Sequence, residues 1–497
     1  MKNILKKTLS IKIRYIFFLI FLISDSVFMA ETKLISKKDV EYHDILCDQF
    51  SYSKFYKMEV SYKKFIDDCK NLIYLLETAY AGFDDMCKRG FNSEIFLKNC
   101  ENHFQNKEAI NVSEISEYYY TYLKKYINDT HCFIESTNFR KNFITSRSIF
   151  YSDLYVSKKN EDFFVYKSDN IDFSLNSKIN IPKEYLFLYP SKGKNIYRVG
   201  TLADSLSSIE NIYLYLDGNK YELKCKRNLT ERQQSIEDFI NYIELETEKT
   251  AYISIKTFID LPKETGYRDI FDKIYLDFAE SGKKYRTKQN VILDLRKNGG
   301  GHSTYPSNFL NNLVSDKKIK DFDSFDSEFL MSPAIYQVMQ TILKTTYSRN
   351  DLTYKEYSEF MNLYQKNYKN KFLCINKNRR KNLKSEFKGK LIILIDKGTA
   401  SSSELIISYA KELFRKSNQL ILLGENSFGC FNYGNIFHYQ LLNSGISISL
   451  AQFKMGNPPV IEGIGYFPDY WATDEDIIPA IVNITEDKEL FETLKGI

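Results

Sequence analysis

Four short runs in the second half of the chain, 251–255, 291–295, 391–395 and 420–423, are apolar almost throughout. A strand with one wet face alternates apolar and polar side chains; these do not, so both of their faces must be covered. Between them lie segments with helical spacing, such as Leu405, Ile406, Tyr409, Ala410, Leu413 and Phe414. Strands that are apolar on both faces and alternate with helices predict an α/β domain around a buried, largely parallel sheet.

At 497 residues the chain has room for roughly three domains of about 150 residues each. Upstream of the sheet, 40–128 reads as helical: Phe65, Cys69, Leu72, Leu76 and Tyr80 share one face, and a second helix over 113–127 starts on a capping Ser113. From His131 to about 227 short β-prone runs take over, with Asp217-Gly218 as a hairpin signal. A polar, tyrosine-rich insertion at 315–388 is expected to be helical and to lie outside the core sheet, covering a site or forming a subunit contact. The expected division is 1–30 leader, 31–130 helical, 131–235 β-rich, and 236–485 catalytic with the insertion.

The leader is read from basic residues up to Arg14, an apolar run at 15–23, then Ser24, Asp25, Ser26 and Ala30. That run is shorter than the roughly 20 residues a bilayer span needs, which favours a cleaved signal and an exported protein over a membrane anchor. The formal charge of +5 falls to +1 once residues 1–30 are set aside, so nucleic acid is not an expected partner. Cys47, Cys69, Cys87 and Cys100 are compatible with two disulfides or with four free thiols. With no CxxC pair and few histidines, no metal is expected.

Two stretches carry chemistry. In 396-DKGTASSSE-404, Ser401 stands at the tip of a strand–turn–helix, where free backbone N–H groups and the helix dipole favour negative charge. By itself this also suits simple capping by Ser401, Ser402 or Ser403, with Glu404 as a first-turn charge. In 291-VILDLRKNGGGHSTY-305 a strand runs into Gly299, Gly300 and Gly301, a turn that brings backbone N–H groups close to a ligand or is merely flexible.

DLRKNGGG, GTASSSE and 424-GENSFG-429 occur in this order, and together they resemble the tail-specific, or C-terminal processing, serine protease family, over about 251–469. The resemblance implies a ClpP/crotonase-like α/β catalytic domain, preceded here by an α-helical N-terminal domain and a small β-rich domain. It implies a serine endopeptidase that needs no cofactor and cuts unfolded or C-terminal protein segments. Ser401 falls on the family's nucleophile, with oxyanion donors from Ser402 and a glycine of 299–301. Relatives often carry a PDZ module where this chain has 131–235; a degenerate PDZ-like fold is one reading of that segment.

One branch of the family uses a lysine base at the end of GExxFGK, and here that position is Cys430. A thiol does not replace an amine as proton acceptor for a hydroxyl. The sequence is instead similar to the tricorn-core-like branch. His131, in 127-INDTHCFIES-136, matches its Asp-x-His pattern, and Glu462, in 460-VIEGIGYFPD-469, its Glu-Gly-x-Gly stretch. The implied triad is Ser401 as nucleophile, His131 as base and Glu462 as the acceptor that orients the imidazole. His302 is the rival base or a pocket residue, Cys430 the rival nucleophile, and His438 and Asp469 read as structural. A silent peptide- or apolar-ligand-binding protein and an acyl-thioester enzyme of the same fold remain alternatives, and a homo-oligomer is left open.

Overall fold

The apolar runs are the spine of the molecule. The computed structural model describes residues 46–47 and 57–495, apart from 170–172, 192, 194, 205–211, 217–218, 227–235, 261–265, 316–325, 346–351, 368–370, 376–384 and 415–416. The leader, the side chain of Cys47 and the Asp217-Gly218 turn fall outside the described residues. Thr250–Ser254, Asn290–Asp294, Lys390–Ile395, Leu420–Gly424 and Tyr470–Trp471 form one parallel sheet in that order, edged by the antiparallel Ile243–Glu246. Leu391 to Ile395 are all fully buried, each side chain contributing about 1.5–3 kcal/mol relative to an exposed one.

The two faces of the sheet bury alternate residues. Leu391, Ile393 and Ile395 pack with Phe309 and Leu310 of helix Thr304–Val314 and with Ile406 and Ala410 of helix Ser402–Phe414. Ile392 and Leu394 pack instead with Ile477, Ile481 and Leu490 from the two C-terminal helices, Ile477–Thr485 and Lys488–Leu494.

A second sheet is built on the hairpin Tyr433–Gln440/Ser447–Met455. Among the described residues the insertion contributes no strand to the parallel core sheet, but it is not all helical as expected. Its strands Ser327–Leu330 and Phe372–Ile375 extend this second sheet, with helices Pro333–Thr345 and Leu352–Asn367 between them. Helix Tyr62–Ala79 forms where the apolar spacing predicts one and lies on the same unit: Phe65, Leu72 and Leu76 share a core with Leu450 and Ala451. Its Asp68 is almost fully buried and accepts the backbone N–H groups of Asn443 and Ser444 at the hairpin turn. The later helix runs Val112–Leu123 and is capped by Asn111, whose side chain accepts the N–H of Ser113, so Ser113 is the receiver of the cap rather than the cap.

Residues 148–223 make a seven-stranded antiparallel sheet, with no α-helix among its described residues. The hairpin Phe133–Ser136/Phe139–Asn142 does not belong to it; it pairs with Ser447–Met455 and so carries the adjoining His131 into the second sheet. Cys69, Cys87 and Cys100 are free thiols, as are the other described cysteines. No helix among the described residues is long and apolar enough to cross a membrane.

Candidate active site

Parallel strands present their C-terminal ends to one edge, and the two chemistry-bearing loops leave from there. After Lys390–Ile395 the chain turns through Asp396, whose Oδ1 accepts the N–H of Lys297 at 2.8 Å and of Gly398 at 2.9 Å. Thr399 Oγ1 ties the same turn to the carbonyl of Leu295 at 2.8 Å. The glycine loop and the serine loop are therefore stitched together before either reaches the site.

Ser401 follows with φ of +54°, a left-handed conformation that a side chain rarely adopts and that the surroundings must hold. Its N–H donates to the carbonyl of Cys430 at 3.0 Å and to Oε2 of Glu404 at 3.2 Å. Gly300, at φ +94°, lies against it: a Cβ there would sit 2.8 Å from Ser401 Cβ and 2.7 Å from the carbonyl of Ala400. Only glycine fits. The N–H of Gly300 is taken by Asn298 Oδ1 at 2.9 Å, whereas those of Gly299, Gly301 and Ser402 have no acceptor among the described residues. Donors of this kind beside a strained serine suit a developing oxyanion.

The His131 loop is held by a network of its own. Asp129, fully buried, accepts the N–H of His131 at 2.9 Å and the thiol of Cys132 at 3.2 Å. Its Oδ1 also lies 3.5 Å from Nδ1 of His131. The His131 carbonyl accepts from Ser449 Oγ at 2.7 Å. Glu462 receives the N–H and the hydroxyl of Thr130 on Oε1, at 3.1 and 2.6 Å, and the N–H of Asn432 on Oε2 at 3.3 Å. Burial, reinforced by the charge of Asp129, pushes Glu462 up to about 7. Ligand atoms of Asp129, His131 and Glu462 fall within 4.8 Å of one another, a grouping also open to a divalent cation.

Cys430 touches both halves of the site. Its carbonyl accepts the Ser401 N–H, and its sulfur lies close enough to the imidazole of His131 for each to affect the other's proton affinity. Burial pushes its thiol up to about 11, so it is neutral near pH 7 and not the activated nucleophile that the rival reading requires. For His131, burial opposes the protonated form, but Cys430 and Asp129 outweigh it and the imidazole is raised well above its ordinary value. With the sulfur neutral, the charge behind that rise is the Asp129 carboxylate. Among the described residues, Ser401 Oγ and His131 share no hydrogen bond with each other.

The remaining candidates are placed as follows. Nδ1 of His302 accepts the N–H of Thr304 at 3.3 Å, at the start of the helix after the glycine turn. His438 lies on the second sheet against Phe133, their ring centroids 5.4 Å apart. Asp469 exchanges backbone and side-chain bonds with Leu422 at the sheet edge. Three participants were missed: Asp129, Thr130 and Glu404. Thr130 and Glu404 have partners distant in sequence, and the Asp-x-His spacing hinted at Asp129.

Residues 249–471 match the model of Peptidase family S41. No curated protein matches the chain in sequence. Among solved structures it is similar to mature CPAF, at 14% identity and TM-score 0.40, over 87% of this chain and 97% of that one. It is also similar to the photosystem II D1 C-terminal processing protease, at 13% identity and TM-score 0.33, over 83% and 93% of the two chains. A third is the tricorn protease, at 13% identity and TM-score 0.28, over 87% of this chain and 37% of the other. The helix-flanked parallel sheet and the family match agree with the ClpP/crotonase-like fold expected from the sequence.

Proposed function

We propose that the chain, whose residues 249–471 match the model of Peptidase family S41, is a serine-type peptidase that works through an acyl-enzyme on Ser401, with His131 and Glu462 completing the triad. The observation that carries this reading is the left-handed Ser401 at the strand–helix turn, beside N–H groups with no acceptor among the described residues. Ser401 Oγ attacks the carbonyl carbon of the scissile peptide bond while His131 takes the hydroxyl proton. The oxyanion is received by the N–H of Ser402 and by Gly299 or Gly301, since Gly300 is engaged by Asn298. His131 then passes its proton to the leaving amine, and water, deprotonated by the same imidazole, releases the acid and frees Ser401.

Glu462 is proposed to orient the imidazole, and Asp129, 3.5 Å from its Nδ1, to supply the charge. His302 shapes the substrate side of the glycine turn. The substrates proposed are unfolded or C-terminal protein segments, and the chain is proposed to be exported after loss of residues 1–30.

Fluorophosphonate labelling tests the triad. Wild type should label; Ser401→Ala and His131→Ala should not, and His302→Ala should. Labelling that survives His131→Ala and fails in His302→Ala would transfer the base to His302.

A further inference from the structure

Glu404, read from the sequence as an ordinary first-turn charge, is fully buried. Its Oε1 accepts Ser427 Oγ at 2.6 Å and the N–H of Gly429 at 2.9 Å; its Oε2 accepts the N–H of Cys430 at 2.7 Å and of Ser401 at 3.2 Å. Four donors converge on one carboxylate, and no basic side chain reaches it among the described residues. Such an arrangement suits an acceptor with two oxygens; burial raises the proton affinity of Glu404 and the four donors oppose the rise.

In a helix capping box, the serine hydroxyl accepts the N–H three residues on while the glutamate bonds back to the serine N–H. Here only the second half is made. The Glu404 N–H goes to the Ser401 carbonyl at 2.8 Å, and the Ser401 hydroxyl is left out of the cap. The same carboxylate fixes the 427–430 loop, whose Gly429 carbonyl accepts the Gly463 N–H at 2.8 Å, next to Glu462, and lies 3.1 Å from Thr130 Oγ1, next to His131.

We infer that Glu404 is a positioning residue: its carboxylate joins the Ser401 turn to the loop that places Cys430, and it frees the serine hydroxyl from capping. This rests on the reading of Ser401 as nucleophile, but the joint itself can be measured apart from that reading. Glutamine at 404 keeps the shape, yet turns an N–H₂ group toward one pair of donors. The loop then separates from the helix start, which loses its hold on the left-handed serine and uncovers the buried Cys430 thiol.

The test uses Glu404→Gln, Glu404→Asp and, in case the first does not fold, Ser427→Ala, which removes a single donor. Two rates are read on the full chain: fluorophosphonate labelling of Ser401, and alkylation of Cys430 by N-ethylmaleimide, located by mass spectrometry. Glu404→Gln is expected to slow labelling roughly 10- to 100-fold, to speed Cys430 alkylation at least about tenfold, and to lower kcat with KM little changed. Glu404→Asp and Ser427→Ala should fall between it and wild type. Labelling and alkylation both within about twofold of wild type in every variant that folds would overturn the inference. If wild type is not labelled at all, the nucleophile reading falls, while the alkylation rate still decides whether Glu404 holds the loop.

Discussion

Thr130 grips Glu462 twice, through its hydroxyl at 2.6 Å and its N–H at 3.1 Å, although 332 residues separate the two. The residue before the histidine thus binds the acid proposed to orient it, so helical region, β hairpin and C-terminal turn meet at one carboxylate. Glu462 is tuned by that grip: burial raises its proton affinity, and the two donors from Thr130 oppose the rise.

Removing the hydroxyl while keeping the shape should therefore weaken the site without collapsing it. Thr130→Val is expected to slow labelling of Ser401 about tenfold, the size of a lost hydrogen bond to a charged group, while Thr130→Ser stays near wild type. A Thr130→Val protein that labels at the wild-type rate would remove the threonine from the chemistry.

The raised proton affinity of His131 has a definite sign. Only the neutral imidazole accepts the serine proton, so labelling should climb on the alkaline side of the ordinary histidine value of about 6.5. Asp129→Asn, which removes the nearest charge, should move the midpoint toward acid. Stability runs the other way: the contribution of His131 is complete below about 6.5 and lost as pH rises through the folded value. A labelling profile measured from about pH 5 to about 10 in both proteins checks this; a shared midpoint would discount Asp129.

Gly300→Ala places a methyl where Ser401 Cβ and the Ala400 carbonyl already are, at a φ that alanine resists. Labelling should be abolished and stability should fall by more than about 1 kcal/mol, read from the thermal midpoint. Gly299→Ala meets nothing within 4 Å and should retain stability, which makes it the matched control.

The only tryptophan of the chain, Trp471, packs against Phe187 of the antiparallel sheet with ring centroids 4.9 Å apart. Arg198 and Asp476 bridge the same junction at 3.1 Å. Phe187→Ala should red-shift the emission and lower stability by about 3 kcal/mol or less, since the site is at a junction rather than in a central core. Unchanged emission would mean that the two units meet elsewhere in solution.

What could be read from the residues alone follows physical range. The parallel sheet was legible because apolar runs such as 391–395 have no wet face to hide, and that is a local property. The serine turn was legible for the same reason. Glu404 was not: a glutamate in a first helical turn is ordinarily solvated, and the four donors that bury it come from its own turn and a loop some two dozen residues on. The strands of the insertion, Ser327–Leu330 and Phe372–Ile375, are only four residues long, and they are strands because a hairpin far along the chain offers an edge. Asn111 displaced Ser113 as cap because the helix begins at Val112, two residues earlier than a Ser113 cap implies, within the usual uncertainty of helix ends.

The grip of Thr130 on Glu462 also dictates when the site can exist during synthesis. A ribosome makes the His131 loop early and Ser401 much later, and domains fold in the order they emerge. The carboxylate that anchors the loop is encoded in the last tenth of the chain. Until that turn has left the ribosome, the loop lacks this carboxylate, and a nascent chain already displaying the serine helix holds a peptidase site that is still open on one side.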